Sequence, residues 1–121
     1  MTDAKTIARD YIDLWNETND ARRGALLARQ WTDGATYVDP LASVAGLGEI
    51  GSYIGGIHQR FPEYRFALLG EASGHGDHVR FSWSLGPSGG EPPIKGSDVV
   101  TTQDGRIAAV IGFLDKVPQP A

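Results

Sequence analysis

The spacing of apolar residues changes once along this chain, near residue 64, from the helical repeat to the two-residue alternation of a strand. A chain with that switch carries its helices before most of its sheet, an α+β layout. Over 4–17, Ile7, Tyr11, Leu14 and Trp15 form one amphipathic stripe. Asp20 has the chemistry of an N-cap for a second helix over 21–31, with Leu27 and Trp31 four apart. Asp33-Gly34 breaks it, Ala35-Thr36-Tyr37-Val38 reads as a short strand, and Asp39-Pro40 ends that strand. A third helix is expected over 47–60, with Ile50, Tyr53, Ile54, Ile57 and Phe61 on one side and Pro62 as its stop. Gly51, Gly55 and Gly56 each cost that helix roughly 1 kcal/mol against alanine. Either they admit a close neighbour or the helix is irregular there.

Beyond residue 64, Tyr64, Phe66 and Leu68 alternate with Arg65, Ala67 and Leu69. After His75-Gly76-Asp77, a turn, Val79, Phe81, Trp83 and Leu85 share one face. Residues 86–93 are too rich in glycine and proline for a strand. Strands over about 94–103 and 106–115 are joined at Asp104-Gly105, a hairpin signal. Three helices and a mostly antiparallel sheet in 121 residues make one domain, long enough to bury a core without covalent staples.

The chain has no cysteine, which excludes disulfides, thiolate metal sites and thiol nucleophiles. Its net charge of −4 and the lack of any basic cluster beyond Arg22-Arg23, read as a solvated helix face, argue against a nucleic-acid partner. No apolar run approaches a membrane span and the first residues do not read as a secretory signal, so a cytoplasmic protein is expected.

Three residues stand out chemically. Asp39 sits between Tyr37-Val38 and Pro40-Leu41, and the proline holds it extended; an Asp-Pro turn starter is its plainer use. Asp98 falls within a strand, where aspartate is disfavoured. Parity groups it with Ile94, Gly96 and Val100, opposite Lys95, so it points inward, where burial would raise its pKa; pairing or an exposed edge is the alternative. Tyr11 lies on the first apolar stripe, where a buried hydroxyl needs a partner. His75 and His78 fall in a turn without a third ligand, so no metal site is expected. His58 could face water or a pocket mouth. No phosphate-binding glycine loop and no nucleophile elbow occur.

The stretch Trp31-Thr32-Asp33-Gly34-Ala35-Thr36-Tyr37-Val38-Asp39-Pro40 resembles a segment of the nuclear transport factor 2-like superfamily, which includes ketosteroid isomerases and SnoaL-like polyketide cyclases. The resemblance extends over nearly the whole chain. It implies a curved sheet forming a cone closed by the helices. It also implies Asp39 as general base, with Tyr11 and a protonated Asp98 as donors to a dienolate oxygen. Trp15, Trp31, Tyr53, Ile57 and Phe61 would line the pocket or its adjoining core, as would Phe66, Phe81, Trp83 and Leu114. The ligand implied is a small apolar carbonyl compound, handled without a cofactor by a homodimer paired through its outer sheet face. A non-catalytic binding module on the same scaffold is the competing expectation. Two positions depart from relatives of this type: a supporting tyrosine on the third helix falls at Ile54, beside Tyr53, and the arginine of related epoxide hydrolases falls at Gly96.

Overall fold

A computed structural model describes residues 3–118. Helix α1 (Ala4–Asn16) starts at Asp3, whose carboxylate accepts from the Lys5 amide and the Thr6 hydroxyl. Its stripe buries Ala8, Tyr11, Leu14 and Trp15. Helix α2 (Asp20–Gln30) is capped by Asn19, whose side chain accepts from the Arg22 amide at 2.9 Å, so the cap lies one residue before the expected Asp20.

Trp31 belongs to strand β1 (Trp31–Asp39), not to the end of α2. The Arg106 guanidinium explains the change: it donates to the carbonyls of Ala28 and Trp31 and ties the end of α2 to strand β6 (Arg106–Lys116). There Trp31 pairs with Ile107, a distant contact that local helical spacing does not reveal. Strand β2 (Ala42–Ala45), unforeseen in the sequence, turns back antiparallel on β1 across Pro40-Leu41. Its four small residues carry too weak an alternation to be read as a strand.

Helix α3 (Leu47–Arg60) follows Gly46, whose φ of 85° favours glycine. Two of its glycines face α2 closely: an added Cβ would lie 3.3 Å from Leu27 at Gly51 and 3.2 Å from the Arg23 guanidinium at Gly55. Side chains, and not a neighbouring backbone, fill that space, and the helix is regular.

Strands β3 (Arg65–His75), β4 (His78–Gly86), β5 (Ile94–Gln103) and β6 complete a six-stranded sheet in the order β2-β1-β6-β5-β4-β3. Among the described strands only the β1–β6 pairing is parallel. The Asp104-Gly105 hairpin has positive φ at both residues, as a type I′ turn requires. Register shifts in β3, beside Gly70 with φ 70°, and between β5 and β6 near Gly96 bend the sheet. Helix α1 packs on β3 and β4 while α2 and α3 pack on β1, so the helices cover one face of an open, curved sheet. The layout is the α+β cone expected from the sequence. No helix among the described residues is long and apolar enough to cross a membrane.

Candidate functional site

Between the helices and the sheet lies a cavity of about 220 Å³, and Tyr11, Asp39 and Asp98 all border it. Strand parity places Asp98 as expected: it is 2% exposed, in line with buried Gly96 and Val100. Its carboxyl meets two donors from other elements. The Tyr11 hydroxyl donates to Oδ2 at 2.5 Å, and the Trp83 indole N–H donates to Oδ1 at 3.0 Å. Trp83 reaches that position because residue 96 is glycine: a Cβ there would lie 2.2 Å from the indole ring. No side chain fits where epoxide hydrolases of the resembled superfamily carry arginine.

Asp39 ends β1, half-buried, and its carboxylate serves as the turn starter while also bordering the cavity. Oδ1 accepts from the backbone amides of Leu41 and Ala42 at 2.8 and 2.9 Å, which fixes the turn into β2. Oδ2 accepts from the hydroxyls of Tyr37 and Tyr53, each at 2.8 Å. Four donors match the acceptor capacity of a carboxylate. Tyr37 was not foreseen as a site residue, although its separation of two from Asp39 on one strand puts both on the same face. Tyr53 sends its hydroxyl to Asp39 and not to Tyr11, while Ile54 beside it is fully buried core. Tyr11 therefore depends on Asp98 instead of a phenol from α3.

Gly112 on β6 lets the two acids approach. A Cβ there would lie 2.9 Å from Asp98 Oδ1 and 3.3 Å from Asp39 Cβ. Desolvation is the main reason that the Asp98 pKa is pushed up to about 6; Tyr11 and Trp83 pull it down and the nearby Asp39 charge adds to the rise. Burial, and then the charge of Asp98, holds Tyr11 well above the usual phenol range. Burial likewise raises Tyr37 and Tyr53, with the carboxylates adding to it, so the phenols remain protonated donors at neutral pH.

Of the apolar residues expected here, Trp15, Tyr53, Ile57, Phe61, Phe66, Trp83 and Leu114 border the cavity. Trp31 and Phe81 do not. They pack behind Tyr11 in the adjoining core, with ring centroids 6.0 and 5.0 Å from its own. Arg60, Leu41 and Val117 also border the cavity, at positions where no periodicity marked them. His58 faces neither the cavity nor open water alone: it lines a separate crevice between α2 and α3 with Arg23, and burial lowers its pKa. His75 and His78 flank the β3–β4 turn, exposed. Among the described residues no cluster of three metal-ligating side chains occurs.

The SnoaL-like domain model matches residues 8–110. A SnoaL-like family protein from Agrobacterium tumefaciens strain C58, named as a candidate isomerase, is 42% identical, with 93% of this chain and 97% of that one covered at a TM-score of 0.88. A candidate ketosteroid isomerase from Kribbella flavida is 17% identical, with 98% and 82% covered at 0.72. A candidate polyketide cyclase from Sinorhizobium meliloti is 20% identical, with 88% and 93% covered at 0.71. These last two share the fold. No curated protein sequence matches. With a family model spanning most of its length and a closely similar relative spanning nearly all of it, the chain belongs to the SnoaL-like domain family, on the nuclear transport factor 2-like fold.

Proposed function

We propose that the cavity binds a small carbonyl compound and moves a proton α to the carbonyl, without a cofactor, as an isomerase or a polyketide cyclase would. The observation that carries this reading is the meeting of Tyr11, Asp39 and Asp98 at one largely apolar cavity. When Asp98 is ionised, the Tyr11 hydroxyl is spent on it. When Asp98 is protonated, its O–H can donate to Tyr11 or to a ligand, and Tyr11 is free to donate to a ligand oxygen. Each donor aimed at a developing enolate oxygen is worth about 3 kcal/mol of barrier. Asp39 as base would contribute roughly 10²–10⁴-fold, taking the α-proton on the Oδ2 lone pair that Tyr37 or Tyr53 gives up.

The test is exchange of α-hydrogens of cyclic enones in D₂O, followed by NMR. Exchange is expected with the native chain and should be lost in Asp39→Asn. Asparagine keeps a carbonyl oxygen for the Leu41 and Ala42 amides, so the turn survives and enone binding, read from Trp15 and Trp83 fluorescence, should persist. Absence of exchange across the enone panel overturns the activity.

A second reading, a non-catalytic binding module, is favoured by the four hydrogen bonds that already occupy Asp39. It predicts binding without exchange. For either reading we propose a homodimer through the uncovered sheet face, where Val38, Ile111 and Phe113 are 42%, 51% and 54% exposed. Val38 and Ile111 are register neighbours on β1 and β6, which makes the patch contiguous.

A further inference from the structure

The cavity walls are aromatic and its interior charges are all of one sign. Trp15 joins Tyr37, Tyr53 and Phe66 at centroid distances of 5.5, 6.2 and 5.3 Å, and Phe66 continues to Trp83 at 5.5 Å. The two acids stand at this wall on either side of Gly112. Phenols, an indole and backbone amides satisfy their hydrogen bonds, but these donors carry no charge. The ion pairs among the described residues, Arg9–Asp10, Arg23–Asp20 and Glu91 with Lys95 and Lys116, all lie elsewhere. Arg60, the one basic side chain described at the cavity, is exposed and sits over the Phe61 ring, 5.7 Å from its centroid.

We propose that this cavity accepts a quaternary ammonium group, held among the aromatic rings with Asp39 and Asp98 as its counter-charges. Aromatic enclosures bind such cations through the ring quadrupoles, and buried carboxylates gain from a compensating positive charge. The choice of a fully alkylated nitrogen follows from Asp39. Its acceptor sites are filled, so an N–H donor would have to displace a phenol or an amide, whereas a quaternary centre needs only the field and the apolar contact. The proposal shares its cavity with the proton-transfer reading but not its chemistry: it uses ionised Asp98, and the reaction uses neutral Asp98.

The groups around Asp98 are Tyr11 from α1, Tyr53 from α3, Trp83 from β4, Tyr37 and Asp39 from β1 and Asp115 from β6. None of them is basic. A bound cation should therefore favour the ionised form and bind more tightly as pH rises through the Asp98 pKa of about 6. A neutral carbonyl ligand should show the opposite slope.

The experiment compares choline with 3,3-dimethylbutan-1-ol, its uncharged carbon analogue, by calorimetry and tryptophan fluorescence near pH 5 and near pH 8. Choline should bind at least tenfold more tightly than the alcohol near pH 8, with the ratio shrinking near pH 5. Asp98→Asn should remove the pH dependence, which assigns that dependence to Asp98. Arg60→Ala should leave choline binding intact or strengthen it. Equal affinities near pH 8, tighter choline binding at the lower pH, or no choline binding overturns the proposal. Choline binding without enone exchange sinks only the proton-transfer reading; exchange without choline binding sinks only this one.

Discussion

Asp98 keeps its proton in the folded chain at pH values where an unfolded chain has lost it, because burial raises its pKa from the ordinary 3.8 to about 6. The folded state binds more protons across that window, so stability falls as pH climbs from about 4 to about 6 and is level above it, as far as this group is concerned. The shift corresponds to roughly 3 kcal/mol. Asp98→Asn, a neutral isostere, should therefore gain roughly 3 kcal/mol relative to the native chain between pH 4 and pH 7 in urea denaturation; a difference that stays flat with pH would show that Asp98 titrates normally. The inward direction of Asp98 was legible from parity against Lys95 alone. The partners of Asp39 were only half legible. Its turn amides are local and follow from the Asp-Pro pair, but Tyr53 arrives from α3 through tertiary packing that no spacing encodes.

The helices and strands divide the glycines into two kinds, and substitution tells them apart. Gly56 on α3 meets nothing within 4 Å of an added Cβ, so Gly56→Ala should stabilise by about 0.4–1 kcal/mol through the unfolded state. Gly96 on β5 would put its Cβ into the Trp83 ring, so Gly96→Ala should cost at least about 1–3 kcal/mol and displace the indole from Asp98. Thermal melts followed by circular dichroism read both signs. The third helix was visible from its apolar stripe despite its glycines, whose purpose was not: Leu27 and Arg23 occupy the space at Gly51 and Gly55. Strands β3 to β6 were legible because long alternating runs meet strong turn residues. Strand β2 and the early part of β1 were not, since they exist through pairing: β2 with β1, and Trp31 with Ile107 across most of the chain.

At the scale of the whole fold, the described helices leave one sheet face uncovered, with Val38, Ile111 and Phe113 exposed there. If that patch joins two copies, Ile111→Glu should convert a sedimenting dimer to a monomer while the melt of the fold changes little; a native chain that sediments as a monomer removes the homodimer. The family resemblance supplied the cone and its closing helices, whereas composition alone went no further than one cysteine-free acidic domain. The position of β6 has a consequence for biogenesis. Strand β6 lies between β1 and β5, the strands that carry the two acids, and follows both of them along the chain. During translation those acids belong to strands that do not pair with each other, and the ribosome must release β6 before the sheet can join them. A nascent chain stalled short of that strand would expose two raw strand edges and an unroofed aromatic surface, which makes it a substrate for chaperones well before it could be a receptor for anything small.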